Sequence, residues 1–137
     1  MPKRKKRTSP TQRCLGRLRS RGFITGNVEK WIPRVDAPGG GFRIDLYGFI
    51  DIVAMRPGVK GLVAIQSFGY GGLSEHLKTV QRLAAVEPHT PICWLENVGP
   101  IWFVEFAPPP RSKPRAPYRM RCSVLRLSAH SGVAVGV

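Results

Sequence analysis

Glu29, Asp45, Asp51 and Gln66 are the side chains of this chain whose types and spacing could do chemistry. Asp51 and Gln66 each interrupt a strongly apolar stretch, residues 44–55 and 62–68, joined by Arg56-Pro57-Gly58-Val59-Lys60-Gly61. Two near-continuous apolar runs around a Pro-Gly turn predict a hairpin buried on both faces. With a four-residue loop from Pro57 to Lys60, Arg56 faces Gly61, and counting back along both strands sets Asp51 opposite Gln66. Directly opposed residues hold their Cβ atoms roughly 5 Å apart on one face, so a carboxylate and a carboxamide oxygen converge. A slip of one residue would cancel the convergence. A buried aspartate is costly unless it is paired, hydrogen-bonded or bound to a metal. Glu29, Asp45, Asp51 and Gln66 supply the hard oxygen ligands that Mg²⁺ or Mn²⁺ prefers, and such an ion would polarise a phosphodiester and acidify a water. The competing reading is an ion-pair network with Arg43, Lys30 or Arg34, and spacing alone leaves both open.

The elements that must position these groups follow from periodicity. Ser9 as N-cap and Pro10 at the first helical position start a helix whose apolar face is Cys14, Leu15 and Leu18, with Gly22 as its stop. Residues 27–33 alternate as a strand, with Val28, Lys30 and Ile32 on one side, and a Pro/Gly loop at 37–41 follows. After Gly69-Tyr70-Gly71-Gly72, residues 73–85 have helical spacing, with Leu73, Leu77, Val80 and Leu83 as the apolar stripe and Ser74 as a candidate cap. Residues 91–95 and 101–106 are expected to form a second hairpin around 96–100, leaving an apolar edge at 101–106 as an interface. The predicted order is helix, three strands, helix, two strands. The domain organisation is a basic disordered arm (1–9), one folded domain (10–107) and a Pro/Arg-rich basic tail (108–137), in which Val124 to Leu127 could pair locally.

The stretch Val28-Glu29-Lys30-Trp31, then Asp45-Leu46-Tyr47-Gly48-Phe49-Ile50-Asp51, then Ala64-Ile65-Gln66-Ser67 resembles the PD-(D/E)XK, restriction-endonuclease-like nuclease superfamily, including small phage and bacterial proteins and the Holliday-junction resolvases. The resemblance covers roughly residues 12–106 and is most specific from Asp45 to Gln66. It implies an α/β (α+β) fold with an αβββαβ core, a mixed sheet flanked by helices and basic disordered tails. It also implies that Asp51 is the central metal ligand, that Gln66 stands for the motif's Glu, and that Glu29 is an additional acidic ligand. The motif's lysine falls at Phe68 and is absent. Family members can supply this cation from the following helix, which makes Lys78 the candidate catalytic lysine and Lys60 a poorer one. The implied activity is a metal-dependent DNA endonuclease, with branched DNA as a substrate. The alternative is a catalytically inactive nuclease-fold protein that binds nucleic acid. Resolvases of this fold commonly act as dimers, so a homodimer is an expectation.

Charge points the same way. The 137 residues carry a formal charge of +14, and all eight carboxylates lie between Glu29 and Glu105, beside seven basic residues. Residues 1–21 hold nine Lys or Arg and residues 111–137 hold six, without one acid. A neutral middle with basic ends attracts polyanions by counterion release. Lys3, Arg4, Lys5, Lys6, Arg7, Arg13, Arg17, Arg111, Lys113 and Arg115 are therefore the candidate nucleic-acid contacts, DNA first and RNA as the other option. The same Pro2 to Arg7 run would act as a nuclear localisation signal in a eukaryote, whereas a prokaryotic or phage protein would be cytoplasmic and nucleoid-associated. Cys14, Cys93 and Cys122 are scattered and read as reduced thiols. His76, His89 and His130 make no zinc pattern, and His76 reads as a helix-surface residue. Trp31, Trp94 and Trp102 read as core or sheet-face residues within strands rather than as platforms for bases. No apolar run reaches the length of a membrane span, so no membrane partner is expected.

Overall fold

The computed structural model describes residues 8–36 and 38–127, and the backbone of 135–136. The fold is mixed α+β, with three α-helices and a five-stranded mixed sheet among the described residues. Lys3, Arg4, Lys5, Lys6, Arg7 and His130 lie outside them.

Helix α1 (Pro10–Ser20) starts where its capping chemistry dictates. The Ser9 side chain accepts from Gln12 N at 3.2 Å while the Gln12 side chain accepts from Ser9 N, and Pro10 loses nothing by lacking a donor there. Gly22, with φ at +83°, follows its end. Cys14, Leu15 and Leu18 are buried, as their spacing predicts.

The main sheet runs β1 (Ile24–Asn27), β4 (Ile52–Arg56), β5 (Val59–Gly69), β6 (Ile101–Ala107), β7 (Arg119–Val124) in space. Only the β5–β6 pair is parallel, and helices α2 (Leu73–Ala85) and α3 (Thr90–Asn97) form its crossover. Strand alternation splits the core in two. Val63 and Ile65 pack with Cys14, Leu15 and Leu18 of α1, while Ala64 and Phe68 pack with Val80, Ala84, Ile92 and Trp94 of α2 and α3. The sheet is thus covered by helices on both faces. Strands β2 (Lys30–Pro33) and β3 (Gly41–Ile44) form a separate antiparallel hairpin, joined through a 3-10 turn at Pro38–Gly40. Two short strands, β8 (Arg126–Leu127) and β9 (Val135–Gly136), pair with each other.

Several sequence expectations are corrected here. Residues 27–33 do not form one strand, because the chain turns at Val28-Glu29 between β1 and β2. Residues 44–55 break at a tight turn in which Leu46 and Ile50 bridge around Tyr47 and Gly48, both at positive φ. The central hairpin turns on Pro57-Gly58 alone, so Arg56 faces Val59 rather than Gly61. A bulge between Ala54 and Arg56 restores the register, because Ile52 still pairs with Ile65. The shorter turn and the bulge cancel, and Asp51 reaches the end of β5 that the count required.

Residues 91–95 are helical rather than a strand. Pro91 sits within the first turn of α3, and the Val98 and Gly99 amides close its last turn on the Trp94 carbonyl. A short apolar run does not distinguish buried strand from buried helix by its pattern. Residues 101–106 are flanked by β5 and β7, so they offer no open edge for an interface. Residues 119–124, expected in a disordered tail, pair with β6 along its length. Ser74 makes no cap, since Gly72 occupies the N-cap of α2 without a side-chain bond. Among the described residues no helix is long and apolar enough to cross a membrane.

Candidate metal centre

The candidate centre forms where two chain reversals meet the start of β4, at one end of the β4–β5 pair. Glu29 follows an Asn27 turn in which the Asn27 side-chain oxygen accepts from Glu29 N at 3.0 Å. The neighbouring Val28 N donates to Asp51 O at 2.9 Å and ties this turn to the sheet. Asp45 leaves β3 and enters the Leu46–Ile50 turn, where Gly48 N donates to its carbonyl at 3.1 Å. Positive φ at Gly48 (+80°) makes that reversal possible without the steric cost a Cβ imposes. Asp51 N donates to Ile65 O at 2.9 Å, which fixes it at the mouth of β4. One carboxylate oxygen from each of Glu29, Asp45 and Asp51 lies within 4.8 Å of the other two.

Asp51 is buried and heavily hydrogen-bonded. Its Oδ2 accepts from Ser67 N at 2.8 Å and Ser67 Oγ at 3.1 Å, and Gln66 Nε2 lies 3.2 and 3.3 Å from its two oxygens. Asp51 and Gln66 therefore do meet, with the carboxamide nitrogen toward the acid as the donor that a cation would replace. Ser67 Oγ also lies 3.3 Å from Thr11 Oγ1, so α1 braces the serine that holds Asp51. Burial is the main force raising the Asp51 pKa, up to about 8. A hydrogen bond with the Asp45 carboxyl and the charges of Asp45 and Glu29 add to it, while the Ser67 amide opposes it. A site that crowds carboxylates until one keeps its proton is a site where a divalent cation relieves repulsion. The oxygen atoms of Glu29, Asp45 and Asp51 could together hold a metal ion. Replacing Ser67 by Ala should lower stability by about 1 kcal/mol by removing one hydroxyl bond to Asp51, read as a reduced midpoint of thermal unfolding.

Arg43 lies at the margin, with Nη1 2.9 Å from Glu29 Oε1, and its side chain is more than half exposed. Part of the ion-pair reading is thus present at Glu29, but the Asp51 carboxylate is bonded by Gln66 and Ser67. Lys78 is not brought to the cluster by any contact among the described residues. Its ammonium is exposed and lies 3.5 Å from Glu75 on the same helix. Lys60 is exposed in the bulged start of β5. The residue beside Phe68, where the motif lysine is expected, is His76, whose ring stacks on Phe68 at 4.6 Å. Partial burial lowers the His76 pKa, while the charges of Asp45 and Glu75 oppose that shift.

The other residues singled out from the sequence have the following surroundings. Arg13 lies over the Tyr118 ring at 3.5 Å and Arg17 donates to Tyr118 O at 2.9 Å, so both hold the approach to β7 against α1. Arg111, Lys113 and Arg115 are exposed in the connection between β6 and β7. Trp31 is half exposed on β2, a sheet-face rather than a core position, and Trp94 is buried in a helix rather than a strand. Three groups escaped sequence reasoning: Ser67, Glu105 and the Arg119/Arg121 pair. The one signal for Glu105 was a charge within an apolar run, Ile101 to Phe106.

Comparison with family models, with curated proteins and with solved structures finds nothing that matches this chain.

Proposed function

We propose that the protein is a metal-dependent DNA endonuclease that hydrolyses phosphodiester bonds, with branched, Holliday-junction-like DNA as its substrate. The carrying observation is the meeting of Glu29, Asp45 and Asp51 oxygens within 4.8 Å in a chain of net charge +14. When bound, Mg²⁺ or Mn²⁺ supplies Lewis-acid polarisation of the phosphodiester and acidifies a water. The chain's own residues do the rest. Glu29, Asp45 and Asp51 would hold the ion, with Gln66 beside them as a further candidate ligand, and Ser67 keeps Asp51 in place. Exposed Arg111, Lys113 and Arg115 draw in the polyanion. The order α1, β1, β4, β5, α2, β6, with β2–β3 between β1 and β4 and with α3 and β7 besides, supports the αβββαβ reading. Cutting both strands of a junction calls for two such centres, hence a homodimer.

A second reading is favoured by one observation: Phe68 stands at the lysine position, and Lys78 is paired with Glu75. Under it the protein is a nuclease-shaped binder of nucleic acid without catalysis. Incubation of the full chain with supercoiled, linear and four-way-junction DNA in Mg²⁺ or Mn²⁺ separates the two. Cleavage that chelation abolishes, fastest on the junction, is expected. Salt-dependent binding with no product at high protein concentration would establish the second reading instead, and preferential competition by RNA would move the substrate class.

A further inference from the structure

Glu105 is an acid set within the otherwise apolar strand β6. It is 8 % exposed in the middle of the sheet, and among the described residues no hydrogen bond or ion pair reaches its side chain. Arg121 is its directly opposed neighbour on β7, yet the two do not form an ion pair within 4.0 Å. The Glu105 carboxylate oxygens are not fully enclosed, so the group stays open to solvent and to a ligand that displaces it. Glu105 opens onto a cavity of about 330 Å³ whose other walls are Tyr70, Ala107, Arg119, Met120 and Arg121. The cavity therefore offers one carboxylate acceptor, two guanidinium groups and one phenol ring.

Its position relative to the acidic centre is set by register. Gln66 pairs with Phe103 and Phe68 with Glu105 across the parallel β5–β6 ladder. Glu105 is thus one strand across, about 5 Å, and two residues along, about 7 Å, from the residue that touches Asp51. Both lie at the carboxyl ends of the parallel strands, where α/β sheets place ligands.

Resting on the nucleic-acid reading above, we infer that this cavity receives one nucleotide next to the scissile phosphate. Its phosphate is held by Arg119 and Arg121, and its base presents an amino group to Glu105. A nucleotide is the ligand whose parts match all the walls: an anion for the arginines, an N–H donor for an acceptor that can only accept, and a flat ring for Tyr70. Cytosine offers such an amino group and thymine does not, because thymine places an oxygen there.

The test is fluorescence anisotropy of the full chain, in EDTA, with labelled ten-residue oligodeoxycytidylate and oligothymidylate. Cytidylate is expected to bind about tenfold tighter, the size of one base-edge contact. Glu105→Gln should shrink the difference to about twofold. Arg121→Gln or Arg119→Gln, on exposed positions, should weaken both oligonucleotides alike and lower the salt slope by roughly one phosphate. Because Glu105→Gln alters a buried position, a ligand-side change provides an independent arm: cytidylate methylated twice on its amino group should bind the unaltered protein like thymidylate. Equal binding of all three oligonucleotides overturns the inference, as does a preference that survives both changes. The readout needs no cleavage. A Glu105-dependent preference without any cleavage would leave this pocket standing and remove the nuclease reading, whereas cleavage without the preference would do the reverse.

Discussion

On the proposed nuclease reading, Asp51→Asn is expected to abolish divalent-ion-dependent cleavage and, in the same protein, to stabilise the metal-free fold at pH 8. The first effect follows from removing a central oxygen ligand. Electrostatic stabilisation by a bound cation is worth several kcal/mol, so roughly a thousandfold loss of rate is expected. The second follows from the Asp51 pKa, which burial and neighbouring carboxyls raise from 3.8 to about 8. The folded protein holds that proton more tightly than the unfolded chain does. Its stabilising contribution is therefore complete below about pH 4 and is lost progressively as pH rises through 8. Asparagine has the shape of the protonated acid and does not titrate, so the variant escapes this loss. The difference at pH 8 is on the order of a few kcal/mol and disappears at pH 4. Thermal unfolding at both pH values, with and without Mn²⁺, reads every part: the unaltered protein gains stability from the ion and the variant does not. A variant that still cleaves, or that is destabilised equally at both pH values, removes Asp51 from the centre.

Gly61→Ala is expected to be among the most damaging single-methyl additions in the sheet. Gly61 has φ at +83° within the β5 bulge, and a Cβ there would overlap the Val98 carbonyl oxygen. The same carbonyl accepts from Leu62 N at 3.2 Å, so it cannot withdraw without breaking a bond that joins β5 to the approach to β6. Gly58→Ala is the matched control, because Gly58 has φ at +85° with open space around it. Left-handed backbone alone costs about 1–2 kcal/mol, which both variants bear. The overlap adds an overpacking cost of about 1–3 kcal/mol to Gly61→Ala only. The summed loss should lower the unfolding midpoint by roughly 10 °C, against roughly half that or less for Gly58→Ala. Since the bulge sets the register that brings Asp51 to Gln66, the stabilisation by Mn²⁺ should shrink as well. Equal losses in the two variants would show that the Gly61 environment yields freely.

That bulge also shows what could and could not be read from the chain. Helix α1 and helix α2 were legible because their signals are local: a capping Ser and Pro in one, a 3.6-residue apolar stripe in both. The pairing of Asp51 with Gln66 was legible in outcome but not in cause. A two-residue turn leaves its signature in Pro57-Gly58, whereas a bulge at Gly61 depends on the backbone of residues 98–99 that packs against it. Residues 91–95 and β7 were illegible for a related reason. Ile92, Trp94 and Leu95 are apolar enough for either period, and only their place in the crossover between parallel strands favours a helix. The Pro and Arg content around β7 suggests a solvated tail, but an edge strand can carry alternating charges on its open side. Within the centre, the three acids could be named from their setting. Ser67, which accepts no notice in a sequence, was found only through its two bonds to Asp51.

The small β2–β3 hairpin has one consequence of its own. Glu29 stands just before its first strand and Asp45 just after its second, so two of the three acids are at its feet, while Asp51 belongs to the large sheet. An ion bound between them is a clasp across the base of an insertion. Thermodynamic reciprocity then requires that whatever orders the hairpin tightens ion binding, and that the ion in turn protects the hairpin from proteases by the same free energy.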